Sequence, residues 1–199
     1  MSENAHLTFE DKEVDLPVVR GSEGEVALDI SKLRGQTGLI TLDRGFKNTG
    51  STLSGITFLN GEEGILRYRG YSIEDLAEHS SFMEVAYLLM YGDLPDQKRL
   101  DWFESSVKMH TLVHENMKRF FEAFPMGAHP MGMLSAMSST LSTFYPGSQD
   151  PNRSVEDIES TIHRLIAKLP TLAAQCYKHN MGHPTVYPAN DLSYTCLLY

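Results

Sequence analysis

Two cysteines in 199 residues, Cys176 and Cys196, are too few for a disulfide framework. Both stand among apolar neighbours, and a reduced cytoplasmic pair is the expectation. No apolar run approaches the length of a membrane span, and residues 1–6 show neither a basic start nor an apolar stretch, so a secretory signal is excluded. Positive charge is also scarce. Lys and Arg number 17 against 26 Asp and Glu, and the net charge of −9 leaves no basic face for nucleic acid. Gly-x-Gly-x-x-Gly and Cys-x-x-Cys are both missing, which removes the dinucleotide fingerprint and the usual zinc and redox pairs. What is present is ordinary for a globular protein: 41% hydrophobic and 22% charged residues, enough for one domain with a small extension.

The chain begins β-like. Leu7 to Phe9, Glu13 to Val19, Val26 to Ile30 and Leu39 to Leu42 are short runs separated by glycines. They predict a small β-rich module over residues 1–54. Residues 55–199 then read as hairpin and helices. Ile56 to Leu59 and Ile65 to Tyr68 flank Asn60-Gly61, a pair suited to a tight turn, and Gly70 ends the second strand. Ser72 with Asp75, and Ser81 with Glu84, have capping-box spacing, the second for a helix closed by Gly92. Further helices are predicted after Pro95, with Leu100, Phe103 and Val107 inward; around Met117, Phe120, Phe121 and Phe124; and from Pro130, with Leu134, Met137, Leu141 and Phe144 inward. Ser154 and Asp157 cap a fifth helix facing inward with Ile158, Ile162, Leu165, Ile166 and Leu169. Pro170 is expected to start a sixth, ending near Gly182, and Asn190-Asp191 to cap a seventh.

Several motifs point to chemistry and fail on one residue. Gly45 to Thr52 has P-loop spacing, but Ser51 stands where a phosphate-gripping Lys is needed. Ser105-x-x-Lys108 matches an acyl-hydrolase pattern whose companions, Ser-Asp-Asn and Lys-Thr-Gly, are absent. His110 and His114 share a spacing of four but lack the intervening Glu and a third ligand of a zinc protease, so no metal site is assigned. Asn152-Arg153-Ser154 fits a glycosylation acceptor without a signal to deliver it.

Asp43-Arg44-Gly45-Phe46, Gly55-Ile56-Thr57-Phe58 and the run from Gly61 to Tyr71 resemble the N-terminal half of citrate synthases of the long, hexameric bacterial type. The resemblance implies a mainly α fold, an incomplete helical large domain preceded by the β module. It implies an acyltransferase that condenses acetyl-CoA with oxaloacetate and water to give citrate and CoA at the start of the tricarboxylic acid cycle. No cofactor is implied, acetyl-CoA being a substrate. A cytoplasmic homo-oligomer, hexamer or dimer, follows from the same resemblance, as do small-molecule substrates and no membrane partner. That chemistry needs a carboxylate base, two condensing histidines and arginines for the dicarboxylate. In the family these lie beyond Tyr199. No catalytic residue is assigned here, and the chain alone is expected to be inactive. The apolar ending Leu197-Leu198-Tyr199 reads as a cut inside a buried helix. Two alternatives are a non-catalytic assembly or nucleotide-sensing subunit and a 2-methylcitrate synthase.

Some long-type members carry an allosteric NADH site. His110, Thr111, Tyr145, Arg164, Lys168 and Asn190 resemble its residues, while Met109 stands where NADH-sensitive relatives have Arg. Taken alone, Arg164 and Lys168 four apart are equally a solvated basic edge.

Overall fold

The computed structural model describes residues 3–199. Their contacts divide into two units, the first ending at Gly55 and the second running from Ile56 to Tyr199.

In the first unit β1 (Asn4–Phe9), β2 (Lys12–Arg20) and β3 (Val26–Leu28) form an antiparallel sheet in chain order. Alternation puts Val14 and Leu16 of β2 inward, and Leu33 of a short helix, α1 (Leu33–Thr37), closes over them. The strand expected over Leu39–Leu42 does not form. Ile40 and Leu42 are exposed and no sheet edge pairs with them, so strand propensity finds no surface to pack on. Beyond it the Asp43 carboxylate accepts hydrogen bonds from the Thr49 hydroxyl (2.5 Å) and from the Asn48 (2.8 Å) and Lys47 (3.2 Å) amides. The Thr49 bond, then the Asn48 amide, hold its pKa below the usual carboxylate value. The stretch with P-loop spacing is thus a self-bonded loop.

The second unit opens with β4 (Thr57–Asn60) paired to β5 (Ile65–Tyr68) in the register Asn60↔Ile65. The expected two-residue turn at Asn60-Gly61 is instead a four-residue loop. Asn60 Oδ1 accepts from the amides of Glu62 and Glu63, and the positive φ falls on Gly64 (71°). The tight turn lies one strand later, where Arg69 (φ 51°) and Gly70 (φ 91°) join β5 to β6 (Tyr71–Ser72).

Helices follow. Ser72 caps α2 (Ile73–His79) by accepting from the Asp75 amide, while the Asp75 carboxylate bonds the Ser72 hydroxyl itself. The full reciprocal box is at α3 (Phe82–Tyr91): Ser81 Oγ accepts from the Glu84 amide (3.2 Å) and Glu84 Oε2 from the Ser81 amide (2.6 Å). Asp96 caps α4 (Gln97–Lys108). Then come α5 (Met117–Glu122), α6 (Pro130–Phe144), a 3₁₀ turn at Pro146–Gln149, α7 (Val155–Asn180) and α8 (Tyr194–Leu198).

Packing corrects three expectations. Pro170 does not start a helix; α7 passes through it for 26 residues. The inward face of α7 is not the apolar stripe, since Ile158, Leu165 and Leu169 are exposed while His163, Ala167, Lys168, Thr171, Leu172 and Gln175 are buried. On α5 Phe120 is exposed and only Met117 and Phe121 face inward; α6 buries Met133, Met137 and Leu141. Helix α7 serves two clusters. With α3 and α4 it encloses Met83, Tyr87, Phe103, Val107 and Ala167; with α5 and α6 it encloses Met117, Phe121, Met133, Met137, Leu141, Leu172 and Cys176.

Candidate functional site

The polar face of α7 is inward because its groups are bonded there. Lys168, 3% exposed, donates through Nζ to the carbonyls of His110 (2.7 Å) and Leu112 in the turn that follows α4. Thr171 Oγ1 donates to the Thr111 carbonyl (2.8 Å). Thr111 Oγ1 in turn donates to Asn190 Oδ1 (2.7 Å), which brings in the segment before α8. An ammonium this deep is tolerated because carbonyl dipoles replace its water.

Tyr145, where α6 ends, lies under two cations. The Arg164 guanidinium carbon is 5.3 Å from its ring centre and Lys168 Nζ is 5.6 Å away. The structure therefore gathers His110, Thr111, Tyr145, Arg164, Lys168 and Asn190 around one stretch of α7. Burial, then the charges of Arg164 and Lys168, push the His110 pKa below its usual value. Beside Tyr145 is a cavity of about 280 Å³ lined by Ser138, Leu141, Ser142, Tyr145, Ser148, Arg153, Thr161, Arg164, Leu165 and Lys168. Its lining contains no carboxylate. Arg153 Nε is buried there without a hydrogen-bond partner. Met109, at the C-terminal end of α4, is exposed.

A second polar set lies on the other side of α7. Ser106 is 2.8 Å from His163 Nδ1, and His163 Nε2 is 3.2 Å from the Tyr91 hydroxyl, which bonds Glu159. The consistent proton order is Ser106 to Nδ1, Nε2–H to Tyr91, and Tyr91 to the Glu159 carboxylate. Burial pushes the His163 pKa down and, with Glu159, that of Tyr91 up.

Thr171, Arg153 and the His163 set were not singled out from the sequence. His163, Ala167, Thr171 and Gln175 recur every four residues and form a buried row, but three of the four are polar, so hydrophobic periodicity alone does not single the row out.

Over residues 45–198 the sequence matches the family model described as "Citrate synthase, C-terminal domain". The chain belongs to the citrate synthase family. Citrate synthase 1 of Mycobacterium tuberculosis, in strains CDC 1551 / Oshkosh and H37Rv, is 46% identical over 191 residues, covering 96% of this chain and 44% of its own length. Thus the chain spans less than half the length of these relatives. Among solved structures, citrate synthase from Thermotoga maritima superposes with a TM-score of 0.67 at 26% identity, over 80% of this chain and 40% of that one. The Pyrobaculum aerophilum enzyme gives 0.69 at 25%, over 91% and 43%. That of Thermoplasma acidophilum, solved as a ternary complex with carboxymethyl coenzyme A and oxaloacetate, gives 0.71 at 22% identity, over 79% and 41%. The mainly helical citrate synthase architecture is therefore shared. Neither the assembly-subunit nor the 2-methylcitrate reading finds support among these relatives.

Proposed function

We propose that this chain forms part of an enzyme that condenses acetyl-CoA with oxaloacetate and water, releasing citrate and CoA. The 46% identity to citrate synthase 1 along 96% of the chain carries this reading. The residues present build the helical scaffold, and the condensing histidines, the carboxylate base and the substrate arginines belong to the rest of the family's length. Cytoplasmic location and homo-oligomeric assembly, as hexamer or dimer, belong to the same proposal. The test is release of free thiol from acetyl-CoA in the presence of oxaloacetate. The product of the full reading frame should turn over and this 199-residue chain should not. Absence of turnover by the full product overturns the reading.

Regulation by NADH is the finer proposal. Support comes from Arg153 and Arg164, which line the cavity beside the Tyr145 ring; an adjoining cavity lined by the same two arginines also includes Asp150 and Asp157. Lys168 already donates to two carbonyls, which leaves the arginines as the free donors for phosphate oxygens. Met109 contributes no charge at the position where sensitive relatives have Arg. Met109→Arg should tighten NADH binding about tenfold or more, since a hydrogen bond to a charged group is worth about 1.5–3 kcal/mol. Fluorescence titration of the full product checks this. An unmoved curve with an already tight wild type removes the site.

A further inference from the structure

Pro170 has no N–H, so the carbonyl four residues earlier, Ile166 O, loses its helical donor, and the proline ring crowds that same carbonyl. The structure fills the vacancy from outside the helix. Tyr194, the first residue of α8, donates its hydroxyl to Ile166 O at 2.9 Å. Its ring is held in place as well, stacked on Phe82 with centroids 4.8 Å apart and planes 5° from parallel, and packed against the cluster around Ala167. Lys168 lies between the orphaned carbonyl and the proline, within the single turn this bond governs. Asn190, bonded to Thr111, ties down the segment leading into α8.

We propose that Tyr194 is a positioning residue: its hydroxyl supplies the hydrogen bond that Pro170 cannot, and so the docking of α8 sets the pose of the α7 turn that carries Lys168. Helix α7 stays continuous through Pro170 because the cost of the missing N–H is met by a side chain from another segment. Movement of α8 uncovers Ile166 O, loosens that turn and frees the Lys168 ammonium from the His110 and Leu112 carbonyls. The 110–112 turn and α8 then respond together, and the Thr111–Asn190 bond ties that turn to the segment leading into α8.

The experiment compares Tyr194→Phe, Pro170→Ala and the double variant in the full chain. Tyr194→Phe keeps the ring and removes only the hydroxyl. Its melting midpoint should fall by about 2–4 °C in the Pro170 background. Pro170→Ala returns an N–H to Ile166 O, so in that background the same substitution should cost under about 1 °C. Equal losses in both backgrounds overturn the assignment of the bond. The second readout is amine acylation followed by peptide mass spectrometry. Labelling of Lys168 should accelerate several-fold in Tyr194→Phe and return to the wild-type rate in the double variant. Lys98, on the first turn of α4, should stay constant throughout. An unmoved Lys168 rate, or equal acceleration at every protected lysine, reduces Tyr194 to a general stabiliser and overturns the positioning role.

Discussion

His163 is buried between α4 and α7, with the edges of Trp102 and Phe103 against its ring and hydroxyls at both nitrogens. Burial favours the neutral imidazole; the nearby Glu159 charge opposes this but is the smaller effect. The unfolded chain binds a proton near pH 6.5, the folded chain only below that. Stability is therefore fully present above about pH 6.5 and is lost as pH falls towards the lowered folded value. His110, shifted in the same direction, adds to the loss. Melting followed from pH 7.5 to 5.5 should show a falling midpoint, with a shallower fall in His163→Gln. An identical slope in that variant would remove His163 as the source. At Tyr91, removal of the hydroxyl by Tyr91→Phe should cost about 1–3 kcal/mol in denaturant unfolding, because His163 Nε2–H loses its acceptor. A change under about 0.3 kcal/mol contradicts the proton order assigned here.

Among the elements, α3 shows how much local chemistry settles. Its capping box and its Gly92 C-cap (φ 98°) are both readable in the residues and both present. Ser81→Ala should cost about 1 kcal/mol, seen as a drop of about 2–4 °C in the melting midpoint, and no drop would mean the cap is dispensable. Helix α7 shows where such reading stops. Ser154 announces its start correctly, with Oγ accepting from the Asp157 amide at 3.1 Å. Its course past Pro170 depends on Tyr194, 24 positions later in the chain, and no local rule anticipates a donor at that separation. Its buried face was misjudged because Lys168, Thr171 and His163 are polar, and their partners at His110, Thr111, Ser106 and Tyr91 are distant in sequence. The six candidate residues came from resemblance to a family. Their convergence needed the fold, and so did Arg153, whose significance is its burial and not its neighbours in the sequence.

For the molecule as a whole, apolar side chains on the surface set the expected solution behaviour. In the second unit Tyr177, Met181, Val186 and Tyr187 are more than half exposed, and in the first unit so are Ile40, Leu42, Phe46 and Leu53. The chain by itself should bind a hydrophobic dye and tend to self-associate. A monodisperse monomer that melts cooperatively without dye enhancement would contradict this. Among the described residues no helix is long and apolar enough to cross a membrane.

The sulfur in the two cores has a chemical consequence. Four methionines, Met83, Met117, Met133 and Met137, are at most 4% exposed, while Met109, Met126, Met131 and Met181 are more than half exposed. Peroxide converts a thioether to a sulfoxide only where it can reach it, so the chain contains its own graded set of oxidation reporters. Met131 and Met133 stand two positions apart on α6, one outward and one fully enclosed. Under mild peroxide Met131 should become the sulfoxide within the time that Met133 stays a thioether. Once Met133 does react, the added oxygen places a polar group in a packed apolar site, and the α5–α6–α7 cluster should open as a unit. Mass spectra showing Met133 and Met137 converted together, well after Met131, would display that opening; conversion of Met131 and Met133 at the same rate would show that this core is not closed.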